Sequence, residues 1–369
     1  MRRGITGGLA LLLLLFGLIL PVGAVDQESV RQEQEKLFDV DKLEEMGGEY
    51  LPDVKISEEM DINAALKNLL EHGKDSVQGV LKHAAKSCLL LLTIVLLFGL
   101  ATGLNEGAGG ASNAIPLAAA LAVTAVAVSD MSALVGMGRE SMEQMQAFSK
   151  VLLPSMAAAT AAAGSPGAAA VKQLSTVLFS DFLITLINQV LMPLTFAFIA
   201  ASVAYAAVGN EGLKKLGGCI KWIINTVLGV FLLTFIGYLN ISGAISGSAD
   251  AVTVKAAKFT VSNMVPVVGG ILSDAAETVL AGASLLRSAI GVFGMLVVVA
   301  ICLLPFLHLG ANYLAYKFTS ALAETVADSR TAGLIDAIGT AFGMVLAMTA
   351  SCAMLLIISM VSAVSMVSG

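Results

Sequence analysis

An all-α bundle of membrane-crossing helices is what this 369-residue sequence predicts, and three observations predict it. First, 57% of the residues are apolar and 13% are charged, and the mean hydropathy is +0.87. Soluble domains carry about 25% charged residues, so this chain lacks the polar surface to cover a water-soluble fold of its length. Second, uncharged runs of the length a spanning helix needs recur along the chain. Third, charge is segregated: residues 26–75 hold 15 of the 27 acids and 6 of the 21 bases, a local net charge of −9. The rest is sparsely charged and sums to +3. The same composition excludes a disordered chain. With no Lys/Arg-rich block, nucleic acid is excluded as a partner.

Met1–Ala24 reads as a cleaved signal peptide. Arg2 and Arg3 open it, Leu9–Leu20 is a 12-residue apolar run, and Pro21, Val22, Gly23 and Ala24 supply small residues for cleavage. A run that short spans a bilayer poorly. Residues 25–86 follow as an acidic extracytoplasmic head. Within it Ile62, Leu66, Leu69 and Leu70 fall at helical spacing opposite Asp61, Lys67 and Glu71, an amphipathic helix expected to end near Gly73.

Residues 87–369 read as the membrane domain, with about six or seven spans. Candidate spans are 87–105, 112–133, 182–207, 222–242, 289–313 and 337–360. The segment 151–171, rich in Ala and Gly and bearing Pro154 and Pro166, is left between a seventh helix and a re-entrant piece. Lys214, Lys215 and Lys221 make 208–221 the densest basic loop of the body, which places it in the cytoplasm. Six spans starting outside then leave the C-terminus outside, against a mild counter-signal from Lys82 and Lys86.

A candidate internal two-fold repeat runs through this domain. Pro154 and Pro193 are 39 residues apart, as are Pro266 and Pro305. Leu191-Met192-Pro193-Leu194 parallels Leu303-Leu304-Pro305-Phe306, and Ala204-Tyr205 parallels Ala315-Tyr316. Duplicated halves suit a pore or transporter, and also occur in purely structural membrane proteins.

The search for chemistry finds little. There is no phosphate-binding loop, no HExxH and no Cys/His cluster. Cys88, Cys219, Cys302 and Cys352 lie in or beside apolar runs and read as small hydrophobes. No enzyme activity, metal or cofactor is expected. The candidate intramembrane polar residues are Asp130, Asn188, Asn225, Asn312 and His308. They could line an aqueous path, or bond neighbouring helices for about 0.6 kcal/mol each. Asp130 stands out, because a carboxylate at a span centre costs about 2.5–3.5 kcal/mol. Abundant Gly and a GxxxG at Gly243–Gly247 fit close helix packing or a homo-oligomer.

The most specific stretch is 253–278. It contains Lys255, Lys258, Asn263, then Val265-Pro266-Val267-Val268-Gly269-Gly270, Asp274 and Glu277, and continues through Ser284-Leu285-Leu286-Arg287 and Gly291 into the Pro305 span. This segment resembles the signature of the stage III sporulation protein AE family of endospore-forming bacteria, and the signal peptide, acidic head and span layout agree. The resemblance implies an integral-membrane subunit of the secretion or feeding channel between mother cell and forespore. It implies a place in the mother-cell membrane facing the forespore. Its partners would be a secretion-type ATPase, small membrane subunits, ring-forming proteins and a forespore membrane partner. It transfers no catalytic residues. Read by itself, the Pro and paired Gly break a helix, so 259–275, with Asn263, Pro266, Gly269 and Gly270, is a candidate re-entrant hairpin at a pore mouth. An ordinary external loop is the competing reading. A solute permease and a passive scaffold remain as alternative functions.

Overall fold

The computed structural model describes residues 27–52, 54–57, 60–104, 114–264, 269–326 and 328–364. Among them every regular element is helical. Two short helices form the head, α1 (Gln27–Leu37) and α2 (Val40–Gly48). Asp39 joins them at φ 51°, a left-handed conformation that Asp tolerates better than bulkier residues. Phe38, Val40 and Leu43 are thereby buried. Gly47 rests against Phe293: a Cβ there would fall 2.4 Å from Phe293 Cζ, so only glycine permits the approach.

Helix α3 (Ile62–Leu104) begins at a side-chain cap. The Asp61 carboxylate accepts from the backbone N–H groups of Asn63 and Ala64 at 2.9 and 3.0 Å, satisfying two donors that have no intrahelical partner. The helix does not end at Gly73 as the sequence suggested. It runs on through the head boundary at 86, because packing against its neighbours outweighs the modest propensity penalty of one glycine. On its inner face Leu69 is buried as expected, joined by Ala65, whereas Ile62 is 43% exposed.

Helix α4 (Ala114–Ala162) continues through Pro154. The chain turns at Ala163–Ser165, with Gly164 at φ 94°, and α5 (Pro166–Leu186) starts with proline in its first turn, where the missing N–H is no loss. Residues 151–171 are thus the corner of a helical hairpin. A π-helical turn, Ile187–Leu191, links α5 to α6 (Met192–Val208). Pro193, in the first turn of α6, has no N–H to give and its ring crowds the carbonyl four residues back, so the helix widens locally. Gly209, at φ 73°, ends α6 by donating to the Tyr205 carbonyl at 2.7 Å. The long helices α7 (Glu211–Met264), α8 (Gly269–Ala323) and α9 (Ser329–Val364) complete the bundle.

Six helical segments are long and apolar enough to cross a membrane: Val77–Leu104, Ala114–Ala162, Ala169–Val208, Glu211–Ser242, Val279–Ala323 and Ser329–Val364. The last two form the centre, packing most extensively on each other, with α4 against both and α3 against α8. The most apolar stretch of α9 is 61% buried and that of α3 only 17%. Register between α4 and α8 is fixed along their antiparallel length. Tyr316 meets Asp130, Leu309 lies at Gly138, Cys302 meets Met145 and Gly294 receives Leu152. Glycines make the closest approaches, since a Cβ on Gly138 would lie 2.8 Å from Val345 and one on Gly294 2.8 Å from Met360.

Candidate functional site

Three helices meet at Asp130. The residue lies on α4 with its side chain 8% exposed, a position a carboxylate occupies only with partners. His83 Nε2 of α3 lies 3.2 Å from Asp130 Oδ1, and the Tyr316 hydroxyl of α8 donates to Oδ2 at 2.9 Å. Both carboxylate oxygens are therefore engaged. The Tyr316 ring is held edge-on to Phe342 of α9 with centroids 5.0 Å apart. The His83 side chain, 56% exposed, carries the cluster to the surface. Next along α8, Lys317 donates to Asp336 at 2.7 Å and to Thr340 at 2.9 Å, both on α9.

Asn312 and His308 continue the stripe on α8, each one turn from the last. Asn312 is fully buried and donates to the His308 carbonyl at 2.9 Å, while its Oδ1 has no partner. His308 Nδ1 lies 3.0 Å from the Leu304 carbonyl. Of the five polar residues chosen from sequence, Asp130 is bonded across helices, while Asn312 and His308 lie one and two turns from Tyr316 on α8 and bond within that helix. Asn188 sits in the π-helical turn with a buried, unpaired Oδ1, and Asn225 is exposed on α7. Neither reaches the Asp130 cluster.

The proposed hairpin falls largely at the edge of what is described. Asn263 lies in the last turn of α7, Gly269 and Gly270 open α8, and Pro266 lies outside the described residues. Among the described residues, no group of three or more His, Cys, Asp or Glu gathers to hold a metal ion.

A second buried polar group sits at the head end of the bundle. Arg287 is fully buried and Lys172 is 5% exposed. Arg287 Nη2 donates to the Val364 carbonyl at 3.1 Å, and Lys172 Nζ donates to the Ser362 carbonyl. Both carbonyls belong to the last turn of α9. Arg287 Nε and Nη1 are buried without partners.

Sequence reasoning missed His83, Tyr316, Lys172 and Arg287 as members of buried polar groups. Tyr316 carried a signal, because His308, Asn312 and Tyr316 repeat at intervals of four, one face of a helix. His83 carried none, since its partner is 47 residues away.

The spanning helices, with ionisable groups bonded between them, define a polytopic α-helical membrane protein. The chain belongs to the stage III sporulation protein AE family, whose model matches residues 48–367. Stage III sporulation protein AE of Bacillus subtilis (strain 168) is 24% identical to it over 213 residues, 58% of this chain and 53% of that relative. The match thus spans about half the relative's length. No solved structure matches.

Proposed function

We propose that this protein is the integral-membrane subunit of a secretion or feeding channel between mother cell and forespore, needed during endospore formation after engulfment. The observation that carries the reading is family membership across nearly all of the membrane domain. The fold supports it, because a six-span bundle with polar contacts at its centre suits a conduit component. In this reading the protein catalyses nothing itself. It works beside a secretion-type ATPase, small membrane subunits, ring-forming proteins and a forespore membrane partner. Lys214, Lys215 and Lys221 set the cytoplasmic end by the positive-inside rule. The −9 head then faces the space between the two membranes, with the protein in the mother-cell membrane.

The test is purification from sporulating cells in mild detergent, with identification of what accompanies the chain. Recovery of sporulation-specific membrane and ring-forming proteins is expected; a lone chain with no such companions would sink the proposal. The buried Asp130 cluster favours a second reading, a permease for small solutes. That reading requires the purified chain alone to move a solute across liposomes, whereas a channel subunit needs its partners.

A further inference from the structure

The three lysines that open α7 share an exposed face with the chain's sole tryptophan. Lys215, Cys219, Trp222, Thr226 and Val230 follow at intervals of three and four, one stripe of a helix, and all five are exposed. Lys214 and Lys221, also exposed, flank the upper part of that stripe with Gly218 between them. A Cβ on Gly218 would meet nothing within 4 Å. Glycine inside a helix costs about 1 kcal/mol, and no packing within the bundle asks for it here. Lys214 lies over the Tyr205 ring at 5.5 Å, whose hydroxyl donates to Glu211 at 3.2 Å. Among the described residues none of the three lysines forms an ion pair.

The stripe runs into a cleft between α5 and α7. The cleft measures about 860 Å³, and its walls are Leu178, Phe179 and Phe182 of α5 and Val227, Val230 and Phe231 of α7. Ligand sites have volumes of this order and are mostly apolar, with few polar groups. The aromatic wall is held by its own contacts, since Phe231 meets Phe179 with centroids 5.6 Å apart and stacks on Phe182 at 5.8 Å. Thr226 lies at the lysine end. Asp181 lies at the other, where neighbouring Phe179 meets Tyr238 and Gln146 donates to its carboxylate at 2.8 Å. Large apolar side chains stay uncovered along it, with Leu178 59%, Phe182 60% and Val230 57% exposed.

We propose that this face and cleft form one site for an anionic glycerophospholipid, its phosphate on Lys214, Lys215 and Lys221 and an acyl chain in the cleft. Charge sets the orientation, because the lysines attract the headgroup at one end and Asp181 repels it at the other. Residues 222–249 carry no charge, so Lys221 and Trp222 mark where α7 enters the hydrocarbon, the level at which tryptophan and lysine anchor helices. From Lys221 to Thr234 is about 20 Å at 1.5 Å per residue, slightly more than one leaflet of a core about 30 Å thick. One acyl chain is therefore long enough to line the cleft. Gly218 leaves room for the phosphate between the lysines. The inference goes beyond the channel reading and does not depend on it.

The test uses the full chain in phosphatidylcholine vesicles and the fluorescence of Trp222. Phosphatidylglycerol with brominated acyl chains, added as a minor component, should quench Trp222 at a mole fraction at least about tenfold lower than brominated phosphatidylcholine does. Equal quenching by the two lipids would overturn the proposal. The combined variant Lys214→Gln, Lys215→Gln, Lys221→Gln should abolish the preference, whereas Lys36→Gln, Lys42→Gln, Lys55→Gln in the head should leave it intact. A preference that survives the first set would overturn the lysines as the headgroup site. Val230→Phe, at a position exposed enough to keep the fold, should narrow the cleft and weaken the preference several-fold; an unchanged preference would overturn the cleft as the seat of the chain. Soluble glycerol phosphate should not relieve quenching by brominated phosphatidylglycerol; relief would make the site one for free phosphate and overturn the lipid. Protein made without sporulation partners serves, so failure of co-purification would leave this result standing.

Discussion

Two groups of buried charge lie at opposite ends of the same helices, and they are satisfied in different ways. Asp130 is held by side chains from two other helices, His83 at 3.2 Å and Tyr316 at 2.9 Å. Arg287 and Lys172 are held by main chain, the carbonyls of Val364 and Ser362. Carbonyls in the last turn of a helix lack intrahelical donors and carry the negative end of its dipole, so two cations there act as caps. Those bonds are tied to the end of α9 and stay as fixed as the helix itself. The Asp130 bonds depend on three rotatable groups, one of them largely exposed, and can rearrange without unfolding anything. The Arg287–Lys172 group is fixed by the helix end, and the Asp130 group can shift.

Substitutions sharpen that contrast. Arg287→Ala removes a buried cap and leaves a cavity, and should lower stability by about 3 kcal/mol. Thermal unfolding in detergent reads this as a clear drop in midpoint. Arg287→Met keeps most of the volume and removes the two unpaired N–H groups, so it should lose roughly half as much. Equal losses would mean that the bond to Val364 matters and the packing does not.

Asp130→Asn keeps shape and one acceptor, and should cost about 1–2 kcal/mol. Spore yield should nonetheless fall well below that of an equally destabilised variant such as Ser320→Ala, whose hydroxyl bonds the Ala332 carbonyl. Normal sporulation by Asp130→Asn would reduce the cluster to a structural contact. Tyr316→Phe removes a single hydrogen bond, worth about 1 kcal/mol. Combined with His83→Ala it should lose more than the sum of the two, because the carboxylate is then left bare. Additive losses would argue against a coupled trio.

The smallest expected effect lies in the head and serves as a reference for both groups. Burial pushes the Tyr50 phenol above its ordinary value of 10, and the carboxylates of Glu49 and Glu140 add to the shift. A raised value means that the folded state holds the proton more tightly than the unfolded one. Its contribution is therefore complete below pH about 10 and is lost as pH rises through the folded value. Tyrosinate absorbance should rise later for Tyr50 than in a Glu140→Gln variant; coincident curves would remove Glu140 as a cause.

Several features were legible because they are local. The helical spacing from Ile62 to Leu70 marked the start of α3, and hydropathy alone located helices that can cross a membrane. Other expectations failed or stayed open where neighbours decide. Gly73 looked like a helix end and lies inside α3, because tertiary contacts outweigh one glycine. Residues 151–171 could be a span by length, yet Gly164 and Pro166 make them a corner. Asp130 was singled out as a costly carboxylate, but Tyr316 lies 186 residues further on, and periodicity within one helix says nothing about which helix stands opposite.

The sequence by itself determined the helical class, the six strongest apolar segments and the segregated charge, and it carried the family resemblance around Pro266. Each follows from composition or from spacing within one element. Only the tertiary structure decided that His83, Asp130 and Tyr316 meet. The physical reason is that a helix's own pattern fixes which face is apolar, while its height beside a neighbour is set by where glycines let backbones approach and where polar groups find partners.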